Sequence, residues 1–361
     1  MRLDPKFPEF HRSMDMLRKW TGENPDTLYL KAPITGDGYY KVSGIASDTP
    51  PNMVVFQTIT SVPGGTGELA EMALCRNQTL DYINSFELKI EQGKAFEILI
   101  GPQKPADYVG HFLSSYKMMP WLATKTEQPT AANWLSVREI FSDWERQVPL
   151  NMEIVRLDSI SKSRAPISEE FISQRLEKIG RQLPNQIRFW QVLQDQMLEV
   201  RKDTNSDGKR RLPINGLYPP APPFTAGGAA GAQHIYTSGV FELGEDEALL
   251  VKVKTPIEPA YIGFQLNNLW LEGPDQQNYV SSLTGHQLPV SSSGFRNYII
   301  AHKDPGVQGW VATTGLKKGT QLMRFIFEKI PPAELMPRVE TKLVNSSTIA
   351  QHIPADTAKV S

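Results

Sequence analysis

Short apolar runs, each four to eight residues long and each cut off by Gly, Pro, Asn or Asp, recur along most of this chain. That rhythm constrains the fold more than any single motif does, because runs this short suit strands and leave helices little room. Tyr39 to Val42 and Met53 to Phe56 are two such runs. Phe86 to Ile90 alternates apolar and polar residues, and Gln92-Gly93 leads into Phe96 to Ile100, which reads as a hairpin. Val137 to Trp144 and Met152 to Leu157 read as a second hairpin across Pro149. Residues 22–158 are therefore expected to form a β-sandwich. From Ile235 to Phe327 the same rhythm returns, with turns at Gly244, Gly273-Pro274-Asp275, Ser293-Gly294 and Asp304-Pro305-Gly306. A jelly-roll-like sandwich over 233–330 follows.

Between these β parts the period changes. Ser168 followed by Glu169-Glu170 is a helix start, and Phe171, Leu176, Ile179 and Leu183 share a stripe. Pro184 should end that helix, with Ile187, Trp190, Leu193, Met197 and Val200 forming a second one. The pair, in segment 159–202, is expected to pack across the two β parts. Residues 203–232 read as a linker, polar at first, then Pro-rich at 219–223, then Gly/Ala-rich at 227–231. Phe10, Met14, Leu17 and Trp20 suggest an amphipathic helix in 1–21, and 331–361 reads as a polar, extended tail. The fold class is thus mainly β with a small helical part.

Lys and Arg (38) nearly balance Asp and Glu (39), so the chain lacks the basic excess of a nucleic-acid binder. No apolar run reaches the ~18 residues that suggest a bilayer span, and the N-terminus lacks the apolar core of a secretory signal. The expectation is a soluble, cytoplasmic protein. The one cysteine, Cys75, builds neither a disulfide nor a metal knuckle, and reads as a small core residue.

Most motifs fail on inspection. Asp203-x-Asn205-x-Asp207-Gly208 begins like a calcium loop, but position twelve is Ile214 and three cations follow the glycine. Pro63-Gly64-Gly65-Thr66-Gly67 lacks the Lys-Ser/Thr of a phosphate loop. More informative are His302 and Asp304, two residues apart and so on one face if the strand continues, where they could hold a metal or orient a base. Their alternative is a polar strand end. Gln265 and Asn267 put amides on an apolar strand, close to Trp270, where they orient a ligand or satisfy loops. Trp310 and Tyr29 could line a pocket, and His286 could join His302.

Taken together, Gly263-Phe264-Gln265-Leu266-Asn267, Ser282-Leu283, Lys303-Asp304-Pro305-Gly306 running to Trp310, and Arg324-Phe325 resemble the C-terminal domain of the family of unknown function numbered 1214. Gly309 stands where that family usually has Asn. Asn24-Pro25-Asp26-Thr27-Leu28-Tyr29 resembles, less closely, the family numbered 1254 that often precedes it. The resemblance implies a sandwich, a small helical part and a jelly roll, and adds Arg324 to His302 and Asp304 as a candidate for catalysis. A sulfate-ester hydrolase activity has been attributed within the wider family.

Three functions compete. The first is a pocket between the two β parts for a largely apolar small molecule, lipid-like, terpenoid or steroid-like, since no charge cluster suited to a phosphate stands out. Gln265, Asn267, Trp270, His286, Trp310 and Tyr29 would line it. The second is a metal-dependent hydrolase of sulfate esters using His302 and Asp304. The third is a carbohydrate- or protein-binding jelly roll without catalysis. No cofactor is named by the residues, and self-association into a homo-oligomer fits all three.

Overall fold

The computed structural model describes residues 4–19, 22–60, 79–121, 126–199, 212–222 and 233–357. Trp20, Cys75, the Gly-rich run at 63–67, the loop at 203–208 and the Gly/Ala run at 227–231 lie outside them.

Two β-sandwiches account for most of the chain. The first pairs a five-stranded sheet, in spatial order β1 (His11–Met14), β2 (Thr27–Pro33), β10 (Trp134–Ile140), β4 (Met53–Ile59) and β5 (Thr79–Asn84), with a four-stranded sheet. That second sheet runs β11 (Asn151–Arg156), β3 (Tyr40–Ile45), β6 (Ala95–Gly101) and β7 (His111–Ser114). A separate hairpin joins β8 (Tyr116–Trp121) to β9 (Thr126–Ala131). In the C-terminal half one sheet runs β12 (His234–Glu242), β18 (Lys318–Ile326), β14 (Tyr261–Asn267) and β15 (Ser282–Thr284). Its mate runs β17 (Trp310–Ala312), β16 (Arg296–Ala301), β13 (Glu247–Lys254) and β19 (Arg338–Asn345).

These two sandwiches have one topology. Remove β1 and the β8–β9 hairpin, and the order β2-β10-β4-β5 maps onto β12-β18-β14-β15, while β11-β3-β6-β7 maps onto β19-β13-β16-β17. Even the single parallel pairing falls at the same place, β6 with β7 and β16 with β17. The molecule is a tandem repeat of one sandwich. Each repeat buries its own core: Val42, Phe56, Ile98, Leu135 and Val137 in the first, Leu249, Phe264, Tyr298, Met323 and Phe325 in the second.

Several sequence expectations need correction. Phe10 to Leu17 is no helix. His11–Met14 pairs with β2 as an edge strand with an irregularity between Arg12 and Met14, and Asp15 then caps a turn by accepting from the Leu17 and Arg18 amides. The Phe86 to Ile90 strand is instead a short helix, α1 (Ser85–Leu88). Asn84 accepts from the amides of Phe86 and Glu87, Glu87 accepts from the Asn84 amide, and this capping box outweighs the alternating pattern. The second expected hairpin is also absent, because β10 and β11 lie in opposite sheets. Pro184 does not split the helical segment, which is one helix, α2 (Glu169–Glu199). The proline sits on a solvent-facing side, where water can take the carbonyl bond its missing N–H leaves open. Finally, 331–361 is no free tail: β19 completes a sheet, and Val344 and Ile349 are buried. Part of the expected linker is packed as well, with Leu212 buried and Ala221 bridging to Tyr236.

Candidate functional site

The repeats meet through equivalent sheet faces. On β10 the inward residues Leu135 and Val137 leave Ser136, Arg138 and Ile140 facing outward, and on β18 the inward Met323 and Phe325 leave Arg324 and Ile326 outward. Ile140 is opposite Met53, and its counterpart Ile326 is opposite Tyr261. These four residues and Val55 form an apolar cluster that joins the sandwiches. Arg138 is opposite Tyr29, and Arg324 is opposite Tyr236. An Arg–Tyr pair followed by an Ile thus occurs once in each repeat, on the two faces that pack together. Asn52, just before β4, donates to the carbonyl of Ala260, just before β14, at 2.9 Å across the seam.

The C-terminal arginine is fully committed. Arg324, 7% exposed, donates to the Gln265 side-chain oxygen and to the Gly22 carbonyl, and lies over the Tyr236 ring. Gln265 in turn donates to the Glu23 carbonyl at 2.7 Å and to Asn267 at 2.5 Å, and Asn267 donates to Thr320. Tyr261 donates to Asp26 at 2.8 Å and accepts from the Asn24 side chain at 3.0 Å. The Glu23 carboxylate accepts from the Gly273 amide at 2.8 Å. The 22–26 segment is thereby fastened into the second repeat. Burial pushes Asp26 up to about 6, against the opposing pull of Tyr261, Trp144 and Arg324, and burial also raises Glu23.

The N-terminal arginine is in a different state. Arg138 has a buried Nε with no hydrogen-bond partner among the described residues. Beside it, two residues past Tyr29 on the same face of β2, Lys31 is buried, and burial together with the Arg138 charge lowers its ammonium to about 8. His11 is opposite Lys31 on β1, and its buried Nδ1 also lacks a hydrogen-bond partner. Burial, then the charges of Lys31 and Arg18, hold this imidazole below the usual histidine range, partly offset by a hydrogen bond that the ring donates to the Glu9 backbone. Tyr29 accepts from the Asn24 amide at 2.8 Å, and Tyr236 feels both arginines. The seam thus has an apolar end and a cationic end, and the cationic end is a charge cluster that the linear pattern conceals.

The residues expected from sequence do not form one site. Gln265, Asn267, Arg324 and Tyr29 come together in the seam, as described. His302 lies just past the end of β16, with Nδ1 at 2.7 Å from the Thr313 hydroxyl, while Asp304 is exposed and accepts from the Gly306 amide in the following turn. They make no pair with each other, and both serve the strand end. Trp310 donates to the Ala301 carbonyl at 3.0 Å, and Trp270 is half-exposed in a loop. His286 is 3.4 Å from Asp143 at a groove of about 300 Å³ that borders the seam, lined also by Asn52, Ala260, Tyr261, Glu258 and Arg296. Among the described residues no three His, Cys, Asp or Glu side chains are grouped to hold a metal. Arg138, Lys31 and His11 were missed by sequence reading. The available signal was the repeated Arg-x-Ile-Phe at Arg138-Glu139-Ile140-Phe141 and Arg324-Phe325-Ile326-Phe327.

No family model matches the chain, and no curated protein matches it. A solved structure of an uncharacterised protein from Burkholderia cenocepacia is similar over 96% of this chain and 84% of its own, with 21% identity and a TM-score of 0.73. That likeness shows a shared fold. A protein from Vibrio parahaemolyticus aligns over 89% of this chain and 90% of its own, with 11% identity and a TM-score of 0.47, too low to carry an argument. No described helix is long and apolar enough to cross a membrane.

Proposed function

We propose that the protein binds a small amphiphilic anion in the seam between its two sandwiches. The head, a carboxylate or sulfate, is held by Arg138 and Lys31, and the apolar body runs toward the Ile140, Ile326 and Tyr261 cluster. The observation that carries this reading is the buried Arg138 Nε without a partner, next to a buried lysine whose ammonium is already destabilised. A buried guanidinium nitrogen without a partner is costly, and an anion beside it relieves that cost. The lipid-like body expected from sequence is kept, and a charged head is added to it. The cytoplasmic location and the likeness to the families numbered 1214 and 1254 belong to the same proposal.

A thermal-shift screen of matched chains tests it: octanoate and octyl sulfate against octanol and octyl glucoside. Stabilisation by both anions and by neither neutral compound is expected. Equal responses to charged and neutral chains, or none to any, would overturn it. Sulfate-ester hydrolysis is the second reading, because an alkyl sulfate would present its head to the same cations. Release of inorganic sulfate from octyl sulfate, lost in Arg138→Gln, would favour it over binding without turnover.

A further inference from the structure

Helix α2 carries an apolar stripe that its own repeat does not cover. Phe189 is buried against the neighbouring Trp190 ring, yet Ile172, Leu176, Ile179, Leu183 and Ile187, one-third of a turn away, are 42–64% exposed. Their spacing of four, three, four and four is the seam of a helix that packs along another helix. The one other described α-helix, α1, has four residues and is itself packed on β4 and β5. The stripe is also symmetric about its centre. Reversing the chain direction at Ile179-Gly180 places Ile172 opposite Ile187 and Leu176 opposite Leu183, with Gly180 at the crossing, where nothing lies within 4 Å of its missing Cβ. A stripe that matches its own reverse fits a two-fold, isologous contact.

We infer that α2 is a dimerisation element, pairing antiparallel with α2 of a second copy of this chain. Hiding the stripe removes on the order of 500 Å² per protomer, so a pair removes on the order of 1,000 Å², the lower bound for a specific interface. Absence of a side chain at Gly180 lets the two helices approach closely at the axis.

Sedimentation of the full chain across a concentration series, combined with cysteine crosslinking, tests this. The wild type is expected to dimerise, and Leu176→Glu/Leu183→Glu to raise the dissociation constant at least ~100-fold with an unchanged circular-dichroism spectrum. Gly180→Cys should crosslink to itself on oxidation. Ile172→Cys should not, because its two copies sit about 22 Å apart, beyond disulfide reach. The wild type, whose one cysteine is Cys75, is the control. A monomeric wild type overturns the inference, including the case where another segment of the same chain covers the stripe and the double substitution lowers stability instead. So does a dimer that survives the double substitution, or crosslinking at position 172 without crosslinking at 180.

Discussion

The two repeats place an arginine at the same point of the same strand, and the two side chains have different fates. Arg324 is closed in by Gln265, the Gly22 carbonyl and the Tyr236 ring, with Asp26 and Glu23 nearby. Arg138 keeps a buried, unpartnered Nε and has Lys31 as neighbour. The residues after them differ too. Phe325 belongs to the core of its sandwich, whereas Glu139 puts a carboxyl at the matching inward position, where it accepts from the Leu150 amide at 2.8 Å. The two repeats present equivalent faces; the C-terminal arginine acts as a fastener, and the N-terminal one keeps a buried Nε without a partner among the described residues. Unsatisfied buried groups in a native fold call for a physical reason, and a ligand is one.

Where the repeats remain alike, equivalent substitutions should cost alike. Ile140→Ala and Ile326→Ala each remove a buried side chain from the joining cluster, and each should lose about 2–5 kcal/mol in urea unfolding. Unequal losses would show that the seam is less symmetric than its topology.

The buried acids give the next largest effect. Asp26 rises from 3.8 to about 6, and Glu139 from 4.5 to about 7, both mainly through burial. A raised folded-state value means the folded protein holds its proton longer than the unfolded chain. Stability should therefore fall as pH rises from about 4 to 7, by about 3 kcal/mol for each group, and then level off. Asp26→Asn should remove the part of the slope between pH 4 and 6, and Glu139→Gln the part between 4.5 and 7. Urea midpoints across pH 4–8 check this, and an unchanged slope in either variant would count against the assignment.

Ligand effects come third. Arg138→Gln should weaken octyl sulfate binding by about 10–100-fold, the share of one charge-assisted hydrogen bond. In the wild type, affinity should decline as pH rises through about 8, where Lys31 of the free protein loses the proton that it retains with an anion bound. Calorimetric titration at pH 7 and 9 checks both. The smallest effect is on Lys31 itself: Arg138→Leu removes a neighbouring charge, so its ammonium should titrate at higher pH, visible by NMR of the labelled lysine.

Much of the fold was legible in the sequence, since strand rhythm and turn residues located two β regions, and Gln265, Asn267, Arg324 and Tyr29 do meet. The misreadings have physical causes. Phe86-Glu87-Leu88 alternates like a strand, but Asn84 and Glu87 cap a helix, and local capping decides so short an element. Phe10, Met14 and Leu17 fall at helical spacing through a strand irregularity followed by an Asx-type turn. His302 and Asp304 sit two apart, yet the strand ends at Ala301, so the same-face argument has no strand to act on. Arg138 and Lys31 are distant from Arg324 in sequence, and only the stacking of one repeat on the other brings their charges to one seam. The repeat is faint in the sequence because sandwich positions demand a pattern of burial and permit almost any apolar residue, which leaves the three shared residues of Arg-x-Ile-Phe as its trace.

The division of labour between the two arginines can be measured in a single experiment: urea unfolding of Arg138→Gln and Arg324→Gln, side by side at pH 7, each with and without octyl sulfate at a concentration below its micelle threshold. Arg324→Gln should lose about 3–5 kcal/mol, because it strands the Gly22 carbonyl and the buried acids. Arg138→Gln should keep wild-type stability within about 1 kcal/mol and lose the stabilisation that the anion confers on the wild type. Equal losses in the two variants, or anion stabilisation that persists in Arg138→Gln, would contradict the account.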